Sequence, residues 1–405
     1  MKFSNPIKAP SLLLPNRTVD LTSFAVIACD QFTSQKSYWD DLKHLIGPYP
    51  SALHMIFPEA YLNLVNEAEY IKNINSTIRK YLKENVLVDI GECFVLVERE
   101  TPYTKRRLGL VIAIDLEAYS FLASSKSLIR ATEATVVERI PPRLKIRKNA
   151  QIELSHVQFL FNDKNKTIIE KLYESRQKLP VLYDFPLNQG GGHLKGYQVL
   201  DTEPIIKAFE NLLQNEEDNL MFVVGDGNHS LATAKTHWDN IKTKLSAEER
   251  KNHPARFSIV EAINLYDEGL TFEPIHRVVF NVGEDFINGL KMAVQGSFET
   301  HLYTATNKIP FTIPNNTPMA YRLIQDFIDK YLQYNPETSV DYVHDLSHTY
   351  EVVDKHENSV AIIMPSLNKE DLFDYIAKGD VLPRKTFSMG YAVEKRYYLE
   401  SKKIK

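Results

Sequence analysis

An acid, an imidazole and a hydroxyl fall within the run Asp226-Gly227-Asn228-His229-Ser230. Ahead of them Phe222-Val223-Val224-Gly225 reads as a buried strand, and from His229 to Asp239 the pattern reads as a helix. Strand ends that feed helix N-termini are where α/β proteins hold phosphates and small polar ligands. The first amides of a helix lack intrahelical acceptors and carry partial positive charge. The amides of residues 228–230 could therefore cradle a phosphate after the tight turn at Gly227, with His229 donating a further hydrogen bond. Asp226 would repel a phosphate, so it makes sense beside Mg²⁺ or as a base. Asn228 is placed to cap the helix. The bland reading is a capped turn with His229 on a backbone carbonyl, and the residues alone leave both open.

Glu133 is the next candidate. In a strand over 129–137, alternation puts Ile129, Ala131, Glu133 and Val137 on one face and Arg130 and Thr132 on the other. A carboxylate among apolar neighbours is suited to acid–base work or to a structural ion pair. Arg139, Arg143, Lys145, Arg147 and Lys148 form a basic cluster, which is usually a solvated face. Arg143 is its better ligand candidate, held just behind the rigid Pro141-Pro142. Gln189-Gly190-Gly191-Gly192-His193-Leu194-Lys195-Gly196-Tyr197 reads as a mobile loop that is either a lid over a ligand or plain surface, with His193, Lys195 and Tyr197 as its reactive side chains. Arg277 could bind an anion or sit in a buried pair. Asp30 and Gln31 end a core strand, where ligands collect, although Asp30 could equally cap a helix. Zinc spacing, a nucleophile elbow, a Walker A loop and a dinucleotide fingerprint are all missing from the sequence.

These residues need a scaffold, and 405 residues with 43% hydrophobic content suffice for roughly two to three domains. Strand-like runs at 24–30, 94–100, 108–116, 181–185, 257–265 and 359–364 alternate with helical patterns at 38–45, 59–87, 204–213, 320–334 and 369–378. A tight turn is expected over 272–277. The alternation implies an α/β fold with a mixed sheet, α+β being the alternative. Soft boundaries near 118 and 282 divide the chain into 1–118, a core at 119–282 and a C-terminal α/β region at 283–405. A net charge of -4 gives no reason to expect nucleic acid as a partner. No apolar run approaches a membrane span or a signal peptide, and two cysteines fit a reducing cytoplasm.

The segment Val224-Gly225-Asp226-Gly227-Asn228-His229-Ser230-Leu231-Ala232-Thr233-Ala234-Lys235 resembles the hallmark of the bacterial and archaeal domain-of-unknown-function family numbered 1015 (DUF1015). Residues 129–135, 269–277 and 382–390 fit the same family. The hallmark is in turn similar to the nucleotide-binding box of the ParB N-terminal and sulfiredoxin-like superfamily, whose members bind CTP or ATP and include free-serine kinases. The resemblance implies a ParB/sulfiredoxin-like core with elaborations. It implies a phosphotransferase on a small amino acid such as free serine, with Mg²⁺ and ATP or ADP as cofactors. Asp226 and His229 match the hallmark's acid and second histidine, while Asn228 and Ser230 stand where a histidine and an arginine are common. Either Arg143, Lys195 or Arg277 then supplies the lost positive charge, or the nucleotide role is weakened. Asp226 would hold the metal and Glu133 would take the hydroxyl proton, with Thr132 standing in for a histidine. The alternatives are a non-catalytic nucleotide-binding regulatory module and a phosphate-ester hydrolase. The expected partners are nucleotide and small-molecule substrate, with a homodimer allowed.

Overall fold

A computed structural model of the chain describes residues 5–135, 140–213 and 219–405. The chain forms two compact units, Met1–Leu270 with Ala392–Lys405, and Thr271–Tyr391. Residue 118 lies inside the first unit, and the chain returns to that unit at its end.

The first unit is built on a ten-stranded sheet. Its strands in chain order are β1 (Ile7–Lys8), β2 (Phe94–Glu100), β3 (Arg107–Asp115), β4 (Tyr119–Ser120), β5 (Ile129–Ala131), β6 (Gln158–Phe161), β7 (Val181–Leu187), β8 (Gly192–Val199), β9 (Phe222–Asp226) and β10 (Phe257–Asn264). In space they run β7-β8-β2-β3-β10-β6-β9-β5-β4, with β1 also on β3. The β6–β10, β9–β5 and β4–β5 pairs are parallel. The other pairs are antiparallel, so the expected α/β fold with a mixed sheet is observed. Every residue of β3 is buried, which requires cover on both faces. Phe159, Phe161 and Phe209 surround Phe222 at ring distances of 5.3 to 6.2 Å.

Three helices matter for the site: α1 (Ile140–Asn149), α2 (Glu203–Leu213) and α3 (Asn228–Lys242). Pro141-Pro142 sits in the first turn of α1, where proline costs no hydrogen bond. The C-terminal segment is sewn into this unit: Tyr397–Tyr398 pairs with Val26–Ile27, and Ser401–Lys403 pairs with Ile152–Leu154.

The second unit holds a five-stranded antiparallel sheet of β11 (His276–Phe280), β12 (Phe298–Tyr303), β13 (Lys308–Ile313), β14 (Ser339–Val343) and β15 (Ser359–Ile362), in the order β13-β12-β15-β11-β14. Helices α4 (Glu284–Ala293), α5 (Thr317–Tyr334), α6 (Leu346–Asp354) and α7 (Lys369–Ala377) accompany it. Asn316, Asp345 and Asn368 cap α5, α6 and α7 through their side chains. Gly379 follows α7 at φ +88°, the left-handed position a helix end favours.

Several expectations are corrected. The segment 272–277 is not one turn but the strand Phe272–Pro274, paired with Phe387–Met389, followed directly by β11. The triple glycine is not a mobile lid. Gly190 and Gly191 make the turn of a hairpin, and β8 is paired along one edge with β7 and along the other with β2. A strand hydrogen-bonded on both sides cannot swing over a ligand. The run 24–30 yields only the short strand Val26–Ile27 after a helical turn, Leu21–Phe24. The helical pattern at 59–87 resolves into a 3-10 turn, Glu59–Tyr61, and a helix over Glu67–Lys83.

Candidate functional site

Strand β9 ends at Asp226, Gly227 turns the chain, and α3 starts at Asn228. The cap position belongs to Gly227 at φ +83°, not to Asn228 as expected, because only the left-handed turn connects strand to helix this tightly. A Cβ on Gly227 would lie 3.0 Å from the Val157 backbone. Gly227→Ala is therefore expected to cost roughly 1–2 kcal/mol from the left-handed backbone alone, read as a lower urea midpoint at unchanged slope.

The junction is not isolated. A register shift between Gln158 and Phe159 pairs Gln158 with Asp226, which sets His156 and Val157 beside the Gly227 turn. Asp226 accepts the Gly227 amide on Oδ1 at 2.8 Å, and its Oδ2 lies 3.2 Å from Lys395 Nζ. Lys395 is 7% exposed and arrives from the C-terminal segment. Asp30, beyond the Val26–Ile27 strand, places Oδ2 3.5 Å from His156 Nε2. The other ring nitrogen of His156 is 2.7 Å from the Tyr398 hydroxyl, which also reaches Cys29 Sγ at 3.1 Å. Arg143 of α1 forms an ion pair with Glu59.

Electrostatics ties these pairs into one cluster. Burial opposes the charged form of His156, but Asp30, then Asp226 and Glu59, outweigh it and hold the imidazole above its ordinary value. Burial likewise opposes ionised Asp30, and His156 reverses that, leaving the carboxyl well below its usual range. Burial and then Asp30 push the Cys29 thiol up to about 12, so it is no thiolate nucleophile. Three carboxylates, Asp226, Asp30 and Glu59, are thus each paired with a cation, Lys395, His156 and Arg143. His156, Glu59, Lys395 and Tyr398 were not among the expected residues, and no local spacing marks them, since they come from three distant segments.

The remaining expected residues divide. Thr132 lies at the junction: its hydroxyl donates to the Val224 carbonyl at 2.6 Å, and the Asn228 amide group is 3.5 Å from it. That hydroxyl competes with the sheet ladder, so β5 stops at Ala131 rather than running to 137. Glu133 is half-buried just past the strand end. Val137 and Arg139 lie outside the described residues. Arg130 is buried and donates to Ser127 O at 3.0 Å. His229 and Ser230 occupy the first turn of α3, both half-buried. Asn228 Oδ1 has no hydrogen-bond partner among the described residues.

Of the three cations expected to replace the arginine, Arg143 is in the cluster. Lys195 is not: it pairs with Asp184 at 2.7 Å on the exposed hairpin, where His193 also reaches Asp184 at 3.3 Å. Tyr197 is buried and donates to Glu98 at 3.1 Å. Arg277 belongs to the second unit and is fully buried, with its guanidinium on the carbonyls of Ile275, Arg384 and Lys385 and near the rings of Tyr321 and Tyr342.

Mg²⁺ fits this site weakly. Among the described residues no group of three or more His, Cys, Asp or Glu is arranged to hold a metal. Asp226 already has a backbone amide on one oxygen and Lys395 on the other. The junction offers no protein cage for a metal.

Over residues 13–403 the sequence matches the family described as Protein of unknown function (DUF1015). The chain belongs to this family. No curated protein sequence matches it. Among solved structures, this DUF1015 chain is similar to a conserved hypothetical protein from Pyrococcus furiosus, at 13% identity and a TM-score of 0.37, covering 71% of this chain and 90% of that one. It is also similar to a mutant free serine kinase in complex with ADP, at 10% identity and a TM-score of 0.42, covering 73% and 92%. The free serine kinase in complex with AMP gives 11% identity and a TM-score of 0.41, covering 73% and 92%. Among the described residues no helix is long and apolar enough to cross a membrane.

Proposed function

We propose that the chain is a phosphotransferase that moves a phosphoryl group from ATP or ADP to the hydroxyl of a small amino acid, with free serine as the leading substrate. The observation that carries this reading is the Asp226–Lys395 pair set against the first turn of α3, with the Asp30–His156 pair beside it. In this reading the amides at the start of α3, with His229 and Ser230, receive the nucleotide phosphates. Lys395 supplies the cation that Ser230 does not, and Arg143 adds a second. Any Mg²⁺ would come bound to the nucleotide and neutralise its phosphates, with no residue of the junction assigned to hold it.

The step itself is simple. The substrate hydroxyl oxygen forms a bond to the terminal phosphorus, the bond to the nucleotide's bridging oxygen breaks, and the hydroxyl proton passes to a carboxylate. Glu133 is the carboxylate nominated from sequence. Asp30 is the one whose surroundings hold it ionised. Phosphoryl transfer asks mainly for positioning and charge neutralisation, which such a cluster supplies.

A second reading rests on a different feature. Asp226, Asp30 and Glu59 each face a cation within the cluster, so a ligand must exchange partners to bind. That suits a nucleotide-binding module that changes shape without turnover. Incubation with Mg²⁺, serine and ATP or ADP, followed by ³¹P NMR, separates the readings. Phosphoserine with loss of one nucleotide phosphate is the expected result. Saturable nucleotide binding without product leaves the module, and release of inorganic phosphate makes it a hydrolase.

A further inference from the structure

Arg99 and Arg107 stand opposite each other across the β2–β3 ladder, and both are buried. Like charges in opposed positions repel, and a buried cation ordinarily brings a carboxylate with it. Among the described residues neither guanidinium has an ion pair; their hydrogen bonds go to main-chain carbonyls. Arg99 donates to Glu100 at 2.9 Å, Gly191 at 2.5 Å and Val393 at 3.2 Å, and Arg107 donates to Glu394 at 3.1 Å. Arg107 Nε has no hydrogen-bond partner among the described residues.

Both side chains line an interior cavity with Tyr183, Glu261, Arg396 and Glu400. The carboxylates of that wall are already engaged. Arg396 lies 3.2 Å from Glu261 and 2.8 Å from Glu400, Gln158 donates to Glu261 at 3.1 Å, and Tyr183 donates to Glu400. Glu394 takes the Thr101 hydroxyl at 2.6 Å, and Asp267 takes the amides of Leu108 and Gly269. Three guanidiniums therefore face two committed carboxylates. Burial, and next Arg107, hold Arg99 down at about 10, as uncompensated positive charge should.

The triple glycine packs against two residues of this wall, Tyr397 and Arg99. A Cβ on Gly191 would lie 2.3 Å from the Tyr397 hydroxyl, and one on Gly192, at φ +90°, would lie 2.2 Å from Glu100 O. Only glycines let the turn come close enough to place the Gly191 carbonyl on Arg99.

We infer that this cavity is an internal site for one halide-sized monovalent anion, held by Arg107 Nε and the Arg99–Arg107 pair. Its free space suits about one water-sized occupant, so phosphate and sulfate are too large. The same two guanidiniums hold the carbonyls of Val393 and Glu394, directly before Lys395. The anion would thus brace the segment that delivers Lys395 to Asp226, whatever reaction the site performs.

The test uses the full chain crystallised from sodium bromide, with data collected at the bromine edge. An anomalous peak within hydrogen-bond reach of Arg107 Nε is expected; a cavity with no such peak overturns the inference. In solution the thermal midpoint should rise saturably in sodium chloride over sodium gluconate at equal ionic strength, and Arg107→Gln should abolish the difference. Equal midpoints of the unmutated chain in the two salts would also overturn it, and that measurement stands even where the variant fails to fold.

Discussion

Lys395→Ala should weaken ADP binding by roughly 10–100-fold, the loss of one or two charge-assisted hydrogen bonds to phosphate. Lys395 is the cation best placed for that work. It is nearly buried and lies 3.2 Å from Asp226 at the mouth of α3. The same change should lower stability by about 2–4 kcal/mol, because a mostly buried carboxylate loses its counter-charge. Asp226 is 19% exposed and keeps the Gly227 amide, which places the cost toward the lower end. The double variant Asp226→Ala, Lys395→Ala separates the two effects. Removing both partners should recover much of the stability lost by either alone, since the pair acts as one unit. Nucleotide affinity should not recover. Calorimetric titration with ADP and urea melts read the two quantities independently. Wild-type affinity in Lys395→Ala would remove the lysine from the phosphate site and leave Arg143 as the remaining cation of the cluster.

The junction carrying this prediction was legible in sequence because all its signals are local. An apolar strand, an Asp-Gly turn and a helix start fall within a dozen residues, and β9 and α3 follow that pattern. Long periodic segments such as α5 were legible for the same reason. Local rules failed where tertiary pairing decides. The glycine run 190–192 has the composition of a loop, yet β8 continues from it because β2 and β7 offer hydrogen bonds on both edges. Thr132 has strand propensity, yet its hydroxyl ends the ladder by taking the Val224 carbonyl. The rest of the cluster was beyond local reading for a topological reason. Lys395 reaches Asp226 only because the chain leaves the first unit at Thr271 and returns at Ala392. His156 reaches Asp30 only because β6 runs beside β9 and Tyr398 pairs beside Val26. Ser230 stands where the family hallmark commonly has an arginine. The lysine beside Asp226 stands in Glu394-Lys395-Arg396, which in isolation reads as an ordinary charged stretch.

The largest effect on pH dependence should come from Asp30→Asn. In the wild-type protein His156 titrates above its ordinary value and Asp30 below its own. For His156 the folded value exceeds the unfolded one of about 6.5, so its stabilising contribution is complete below that pH. It is lost as pH rises through the folded value. For Asp30 the folded value is depressed, so its contribution is complete above about pH 4 and is lost as pH falls through the folded value. The pair therefore stabilises most between about pH 4 and 6.5. Asp30→Asn removes the leading charge that lifts His156 and leaves burial, the largest opposing influence, with Asp226 and Glu59 as the weaker remaining supports. The imidazole should then fall below its ordinary value, and its contribution to the slope of stability against pH should change sign. Other histidines slope that way already: burial and Arg147 hold His237 at about 4, and burial lowers His54. The informative quantity is therefore the difference between variant and wild type, measured from pH 5 to pH 8 in urea. The expected result is a destabilisation that is largest near pH 5 and shrinks as pH rises. Titration of the His156 ring by NMR checks the same point without any assay, and an unshifted imidazole in Asp30→Asn would mean that Asp30 does not hold His156 charged. Tyr398→Phe sharpens the assignment. It removes the hydroxyl 2.7 Å from the other ring nitrogen but leaves the carboxylate, so His156 should stay raised while Asp30→Asn lowers it.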